Sequence, residues 1–523
     1  MHMPTLNWIG KDKVVNHHKE VPFRVLEPQY TFANGEVING VNSESKIIHG
    51  DNLEALKALL PEYEGKVNCI YIDPPYNTGN EGWVYNDNVN HPKIKKWLGE
   101  VVGKEGEDLS RHDKWLCMMY PRLKLLHKLL ADDGVIFVSI DNYEYNYLSI
   151  VLEEIFGRQN LIETLIWKKS YGGGAKSKHV VNLHEYIFFY AKDITKINTL
   201  ELPPDDSILK YYKFKDEKYD TRGPFRLQPL ATTSMDERPN LRYPILYDGD
   251  EIMPEKQWQW SKERVYNALS NNDLVIEKKK GKWSVNYKQY LKNEDGEQRG
   301  RKLYPIIDGF YTQHGTNEIK RLFGDGKAFN FPKPPKLVEE LLRLATDKNS
   351  IILDSFAGSG TTAQATLNLN SSDNGSRKFI LVEMEEYADK ITAERIRRVI
   401  NEEKSGDFTF YNLGEPLFNA DNELNEAVPL QSIREYIYYT ETGEFLKHTS
   451  ISDCHYLDTH NGISYYFYYN RDEMTTLDLD FLGTITTKAD QYVIYADNCL
   501  LSPEFMAKHS IIFKKIPRDI TRF

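Results

Sequence analysis

An α/β fold on a largely parallel sheet, interrupted by one long insertion, is what this sequence predicts, and three observations predict it. Apolar runs of strand length alternate with stretches of helical spacing between residues 46 and 194 and again between 323 and 404. Between those blocks, from 195 to 322, the alternation gives way to short irregular pieces. Two of the apolar runs end in motifs rich in Asp, Pro or Gly, and the carboxyl ends of strands are where open α/β sheets present ligand-contacting groups.

The elements follow in chain order. KIIHGD, NLEALKALLPEY and VNCIYI read as strand, helix and strand, the last running into DPPYNTG at 73–79. WLCMMYPRLKLLHKLLADDG reads as an amphipathic helix stopped by Gly134, and GVIFVSID as a buried strand ending in Asp141. YNYLSIVLEEIFG gives a helix, and LIETLIWKK and HEYIFFYAK give two strands rich in β-branched and aromatic residues. The stretch 195–322 carries many Pro, Tyr, Trp, Lys and Arg, as in TRGPFRLQPLATTSMDERPNLRYPI and WQWSKERV, and is expected to be an inserted domain. Beyond it, KLVEELLRLATDKN, SIILDSFAGSG, TTAQATLNLN, RKFILVEME and YADKITAERIRRVI resume the alternation, helix first. Runs such as ISYYFYYNRDE and YVIYADN mark 405–523 as a separate α+β accessory domain. The expected division is 3–194, 195–322, 323–404 and 405–523.

Composition narrows the class. A chain of 523 residues exceeds one ordinary core, and 40% hydrophobic with 27% charged residues excludes fibrous and disordered classes. No apolar run reaches the length of a membrane span. The start, MHMPTLNWIGKDK, lacks the features of a secretory signal, and Met1-His2 reads as a cloning remnant, so a cytoplasmic location is expected. Cys69, Cys117, Cys454 and Cys499 have neither metal-pair nor disulfide-framework spacing and are expected to be reduced; no metal ligand set is visible. A net charge of -11 argues against uniform coating by nucleic acid but leaves room for a basic groove.

LDSFAGSGTT, at 353–362, runs a strand into small residues and a helix start. Gly358 and Gly360 let backbone approach a ligand closely, and Thr361 and Thr362 offer hydroxyls at the helix start. A tight strand-to-helix turn without a ligand reads equally well from these residues alone. No GK[ST] follows, which excludes a P-loop, and GxGxxG is incomplete. Glu383, at the end of FILVE, adds a carboxylate able to accept from both hydroxyls of a ribose. Asp354 and Phe356 suit a nucleoside bearing an amino acid: the carboxylate faces a cationic amine and the ring lines the cleft. Asp51 ends KIIHGD and, standing before NLEALKALL, reads as a helix N-cap.

DPPY alone reads equally well as a capped turn with Tyr76 packed; beside a nucleoside site, at a strand's carboxyl end, it adds a reaction. An exocyclic amine is a poor nucleophile because its lone pair is delocalised into the ring. A carboxylate and a backbone carbonyl that accept its hydrogens, Asp73 and Pro74, turn density toward an incoming methyl group. Pro75 stiffens the loop and Tyr76 offers a stacking face for an extruded base. DPPYNTGN together with LDSFAGSGTT resembles the S-adenosylmethionine-dependent amino-methyltransferases of DNA, and the order, DPPY before FAGSG, resembles their permuted β group. LNWIGKDKVVNHH, RGPFRLQPL, WQWSKE, YNLGEPLF and FKKIPRDI are similar to modification subunits of Type III restriction systems.

That resemblance implies a circularly permuted, Rossmann-like methyltransferase sheet with an inserted target-recognition domain. It implies cofactor contacts at Asp51, Asp354, Phe356, Gly358, Gly360, Thr361, Thr362 and Glu383, with Lys333 and Pro334 flanking the cofactor, and chemistry at Asp73, Pro74, Pro75 and Tyr76. It further implies adenine N6 as target, double-stranded DNA as substrate, a homodimer and a helicase-nuclease partner. Cytosine N4, RNA, and an inactive DNA-binding scaffold stay open on the residues alone. SYGGGAKSKH, at 170–179, is expected to be a mobile loop.

Overall fold

The computed structural model describes residues 5–38, 43–78, 111–172, 178–234, 236–279, 281–419, 421–446 and 455–517. Residues 173–177 of SYGGGAKSKH and Cys454 fall outside them. One large sheet is built from β1 (Arg24–Ala33), β2 (Glu36–Ile38), β3 (Lys46–His49), β4 (Val67–Ile72), β5 (Leu130–Ile140), β6 (Leu161–Lys168), β7 (His184–Ala191), β8 (Ile306–Ile307), β9 (Ile351–Asp354), β10 (Lys378–Glu383) and β11 (Asp407–Pro416). Their spatial order is β8-β6-β7-β5-β4-β9-β10-β3-β11-β1-β2. Each neighbouring pair from β5 across to β11 is parallel. β7 runs antiparallel to β5 and β6, and β1 antiparallel to β11, so the sheet is parallel at its centre and mixed toward its edges.

The central strands are apolar along their length because both faces are covered. Ile380 and Val382 of β10 enter one core with α1 (Asn52–Tyr63), α2 (Arg111–Leu129) and α3 (Tyr145–Phe156). Phe379 and Leu381, pointing the other way by the strand's two-residue period, enter a second core with α6 (Thr361–Asp373) and α7 (Glu394–Glu403). Two further helices, α4 (Thr312–Phe323) and α5 (Pro335–Ala345), precede the glycine turn. Among the described residues no helix is long and apolar enough to cross a membrane.

Three expectations are corrected. The helix of WLCMMYPRLKLLHKLL ends at Leu129, and Gly134 lies inside β5 rather than stopping the helix. A Cβ there would come 2.8 Å from the Val67 carbonyl oxygen, so the glycine serves close approach between strands, beside a register shift. Next, the chain divides into Met1–Thr199 with Tyr304–Phe523, and Leu200–Leu303. The insert is therefore shorter than 195–322, because β8 pairs with β6 and Leu322 of α4 joins the second core. Last, β11 is not part of an accessory domain: it lies between β3 and β1 in the large sheet. Only after Pro416 does the chain build a separate four-stranded sheet, from Tyr456–His460, Ile463–Phe467, Gln491–Ala496 and Ile511–Lys515.

The unit Leu200–Leu303 is held by an antiparallel sheet of Leu274–Lys279, Lys282–Tyr290 and Phe225–Pro229. Its core includes Leu230, Ile245, Ile252, Trp258 and Val265. Trp258 is buried, and its indole N–H donates to the Tyr243 carbonyl at 2.8 Å, so this member of WQW is packing.

Candidate active site

Register brings the two motifs together. Leu353 of β9 pairs with Ile70 of β4, so Asp354 and Asp73 leave the same edge of adjacent parallel strands. Glu383 pairs with His49, which puts Asp51, two residues on, at that edge as well. Each predicted site carboxylate thus sits at the carboxyl end of a central strand, where the sheet opens to ligand.

Asp73 is part of a largely buried polar cluster, in which Lys333 and Glu185 are the buried members. The Tyr76 hydroxyl donates to Asp73 Oδ1 at 2.7 Å and lies 3.1 Å from Glu185 Oε2. Lys333 Nζ donates to both Asp73 oxygens, at 2.8 and 2.7 Å, and to the Tyr76 oxygen at 2.8 Å. It also lies 3.4 Å from Glu185 and 4.9 Å from the Tyr76 ring centroid. Lys169 donates to the other Glu185 oxygen at 3.2 Å. Burial opposes the charge on Lys333, but Asp73 and Glu185 outweigh it and hold the ammonium above its ordinary value. Burial pushes the Asp73 carboxyl up, Lys333 pulls it down and Glu185 adds to the rise. Trp115 fixes the loop by donating its indole N–H to the Pro75 carbonyl at 2.6 Å.

The glycine turn is held from inside. Thr362 Oγ1 donates to Asp354 Oδ2 at 2.5 Å and the Phe356 N–H to Oδ1 at 3.0 Å. Gly358 N–H donates to Glu383 Oε2 at 2.8 Å and Glu385 N–H to Oε1 at 3.0 Å. The Thr361 hydroxyl accepts from the buried Arg395 guanidinium at 2.9 Å. Gly358 and Gly360 have φ of 52° and 83°, and a Cβ on Gly360 would lie 3.3 Å from the Thr392 carbonyl oxygen, so this turn requires glycine. Burial pushes Asp354 up to about 7 and Glu383 up to about 8. Among the described residues neither has a lysine or arginine at ion-pair distance. Two desolvated carboxyls without a cation are chemically suited to a ligand that brings positive charge and hydroxyl donors.

Asp51 caps α1, accepting from Leu53 and Glu54 N–H at 2.8 and 3.3 Å, while its other oxygen lies 3.4 Å from Arg122. Capping is therefore observed, and the outer position of the carboxylate leaves its nucleoside role as an expectation. A cavity of about 520 Å³ opens beside Tyr76, lined also by Asp141, Trp167, Glu185, Phe331 and Lys333. A second, narrow one of about 30 Å³ runs past Asp73, Asp354, Phe356 and Gly358 and shares Phe331 and Lys333 with the first. Its chemistry fits the nucleoside, but its volume is far below the roughly 300 Å³ of a ligand pocket. The aromatic loop at Phe329 and Phe331 forms its wall.

Glu185, Lys169, Trp115 and Phe331 were not legible as site residues. The one signal for Glu185 is a carboxylate inside the apolar run HEYIFFYA, and for Lys333 a cation stiffened between prolines in FPKPP. Lys333, expected to flank the cofactor, lines the cleft of the glycine turn, and its ammonium is also on Asp73. Among the described residues no group of three or more His, Cys, Asp or Glu is arranged to hold a metal. In the Leu200–Leu303 unit, Arg264 stacks 4.2 Å from the Trp260 ring beside a cavity of about 310 Å³ lined by Arg222, Tyr287 and Arg299.

Comparison with known proteins adds to this geometry. The family model described as DNA methylase matches residues 67–394. The Mod subunit of the Type III restriction-modification enzyme EcoPI, from Escherichia phage P1, is 32% identical over 74% of this chain and 64% of its own. The EcoP15I Mod subunit of Escherichia coli is 31% identical over 80% of this chain and 72% of its own. The Type II methyltransferase M.KpnI of Klebsiella pneumoniae is 32% identical over 65% and 81%. The chain spans a little under two thirds of the length of the EcoPI and StyLTI Mod subunits.

Proposed function

The chain belongs to the DNA methylase family, and on that premise we propose that it methylates N6 of an adenine extruded from double-stranded DNA, as the modification subunit of a Type III restriction-modification system. One observation carries the reading: the cavity beside Tyr76 and the cleft of the glycine turn share a wall of Phe331 and Lys333, and Asp73, which lines the cleft, is hydrogen-bonded to Tyr76 of the cavity. An acceptor ring in the first and a methyl donor in the second would face each other across one carboxylate.

The roles follow from the groups present. Asp73 accepts one amine hydrogen and the Pro74 carbonyl the other; the Pro75 carbonyl is already taken by Trp115, which favours Pro74. With both hydrogens held, the nitrogen lone pair is directed out of conjugation, toward the glycine turn. Tyr76 stacks on the base and Pro75 keeps the loop from collapsing. S-adenosylmethionine, when bound, would supply the methyl group from its sulfonium, leaving a neutral thioether, and the hydrogen that Asp73 accepts is the proton the methylated amine would give up. Asp354, Phe356, Gly358, Gly360, Thr361 and Thr362 form its methionine side, Glu383 accepts from the ribose hydroxyls, and Asp51 faces the adenine amine. Seating a nucleoside there requires the Phe329–Phe331 wall to withdraw. The Leu200–Leu303 unit, with Arg264 on Trp260, supplies target recognition, and a helicase-nuclease subunit and a second copy of the chain complete the assembly.

The test is nucleoside mass spectrometry after incubation of amplified, unmethylated bacterial DNA with heavy-methyl S-adenosylmethionine. Heavy N6-methyladenine is expected; heavy N4-methylcytosine, or no labelled base, overturns the reading. A second expectation concerns protons. Asp354 and Glu383 bind protons more tightly in the fold than at their ordinary values of 3.8 and 4.5. Stability of the ligand-free protein is thus highest at low pH for these groups and falls as pH rises toward about 7 and about 8. A cationic, hydroxyl-bearing ligand favours their ionised forms, so binding at about pH 7 releases on the order of one proton. Calorimetry in two buffers of different ionisation heat measures this, and equal heats in both would show that the carboxyls are ionised beforehand.

A further inference from the structure

We infer that Lys333 is a positioning residue for methyl transfer: its ammonium keeps the largely buried Asp73 carboxylate charged and fixed beside Tyr76 of the acceptor cavity, with Glu185 and Lys169 balancing its charge. This rests on the reading of Asp73 as acceptor of the amine hydrogens.

The geometry argues for it on three counts. Lys333 Nζ reaches both Asp73 oxygens at once, which fixes the plane of the carboxylate as well as its charge. The lysine does not arrive by chance of side-chain flexibility. Its backbone lies against α4 so closely that a Cβ on Gly315 would meet the Pro332 carbonyl oxygen at 2.1 Å and that of Lys333 at 3.0 Å, and prolines at 332, 334 and 335 stiffen it on both sides. Finally, a buried ion pair is a poor source of stability, because desolvating both charges offsets their attraction. What it does supply is a defined protonation state in a dry site.

That state matters because only an ionised Asp73 has both oxygens free to accept. The charged and titratable groups facing it are Lys333 from the loop before α5, Glu185 at the start of β7, Tyr71 within β4, Tyr76 in its own loop and Asp354 at the end of β9. Lys333 is the one cation in direct contact with Asp73 among the described residues, and Glu185 is the nearest added negative charge. Lys169 holds Glu185 from the far side and so limits how far Lys333 is drawn away from Asp73. Removing Lys333 leaves the Tyr76 hydrogen bond, without a cation, to oppose burial and Glu185, and Asp73 then takes up a proton at higher pH.

The experiment is the pH profile of methyl incorporation into amplified, unmethylated bacterial DNA, as kcat/KM, for the full chain and its variants. Lys333→Met moves the acid limb up by about one to three pH units. Lys333→Arg, which keeps the charge, leaves the limb in place at a lower rate. Glu185→Gln alone moves it down, and added to K333M it brings the limb part of the way back. Opposite shifts from neighbouring substitutions distinguish charge from packing, and E185Q carries the test if K333M does not melt and bind S-adenosylmethionine like the parent. A K333M profile parallel to the parent's, or an E185Q limb that moves up, overturns the inference. Loss of activity in Asp73→Ala with an unmoved K333M limb would remove this inference and leave the assignment of Asp73 standing; an active Asp73→Ala would remove both.

Discussion

Asp73→Ala lowers kcat for methyl transfer by about a hundred- to ten-thousandfold, with S-adenosylmethionine affinity changed little. The size follows from what the carboxylate does: it is the group that draws the amine's lone pair out of conjugation, an interaction that strengthens as the nitrogen becomes nucleophilic. It lines the same cleft as the glycine turn but contributes none of the turn's hydrogen bonds, which run through Asp354, Thr362 and Glu383. The substitution also strips Lys333 of its main partner, leaving Glu185 as its counter-ion. Asp73→Asn separates these effects, since it keeps the shape and one acceptor but places an NH2 group before the ammonium. Steady-state rates with calorimetry of cofactor binding make the check: a variant that binds the cofactor as the parent does and transfers methyl at the parent's rate would remove Asp73 from the reaction.

Glu383→Ala weakens S-adenosylmethionine binding by about a hundredfold to ten-thousandfold, because two hydrogen bonds to a charged acceptor are lost, each contributing about 1.5–3 kcal/mol. Part of that loss is indirect. Glu383 accepts from the N–H groups of Gly358 and Glu385, so the alanine also frees the glycine turn that it anchors. Glu383→Gln retains acceptor oxygen and gives an intermediate loss. Titration calorimetry reads both, and an alanine variant that binds within a factor of about three of the parent would place the ribose elsewhere.

Much of the site was legible because its chemistry is written locally. The strand ends at Asp73, Asp354 and Glu383 follow from apolar runs that stop at polar residues, and Gly358 and Gly360 follow from a turn whose positive φ angles exclude most side chains. The capping function of Asp51 could be read from its place before NLEALKALL, and it is what the structure shows. The Gly134 helix stop failed for a related reason. A glycine punctuates both helix ends and close strand contacts, and only the neighbouring strand, with the Val67 carbonyl against it, tells which.

The sequence by itself determined the α/β alternation, the two motifs and the irregular stretch between them, since hydrophobic period and turn chemistry act over a few residues. Tertiary structure alone decided that β1 closes on β11, drawing 407–416 out of the expected accessory domain, and that β8 and α4 leave the insert for the main unit. It alone decided that Lys333 reaches Asp73 across 260 residues and that Glu185 balances it. The physical reason is common to all of these. Periodicity reports that a residue is buried but not what is buried against it; partners distant in the chain are selected when sheet faces are covered and every buried charge must find a counter-charge.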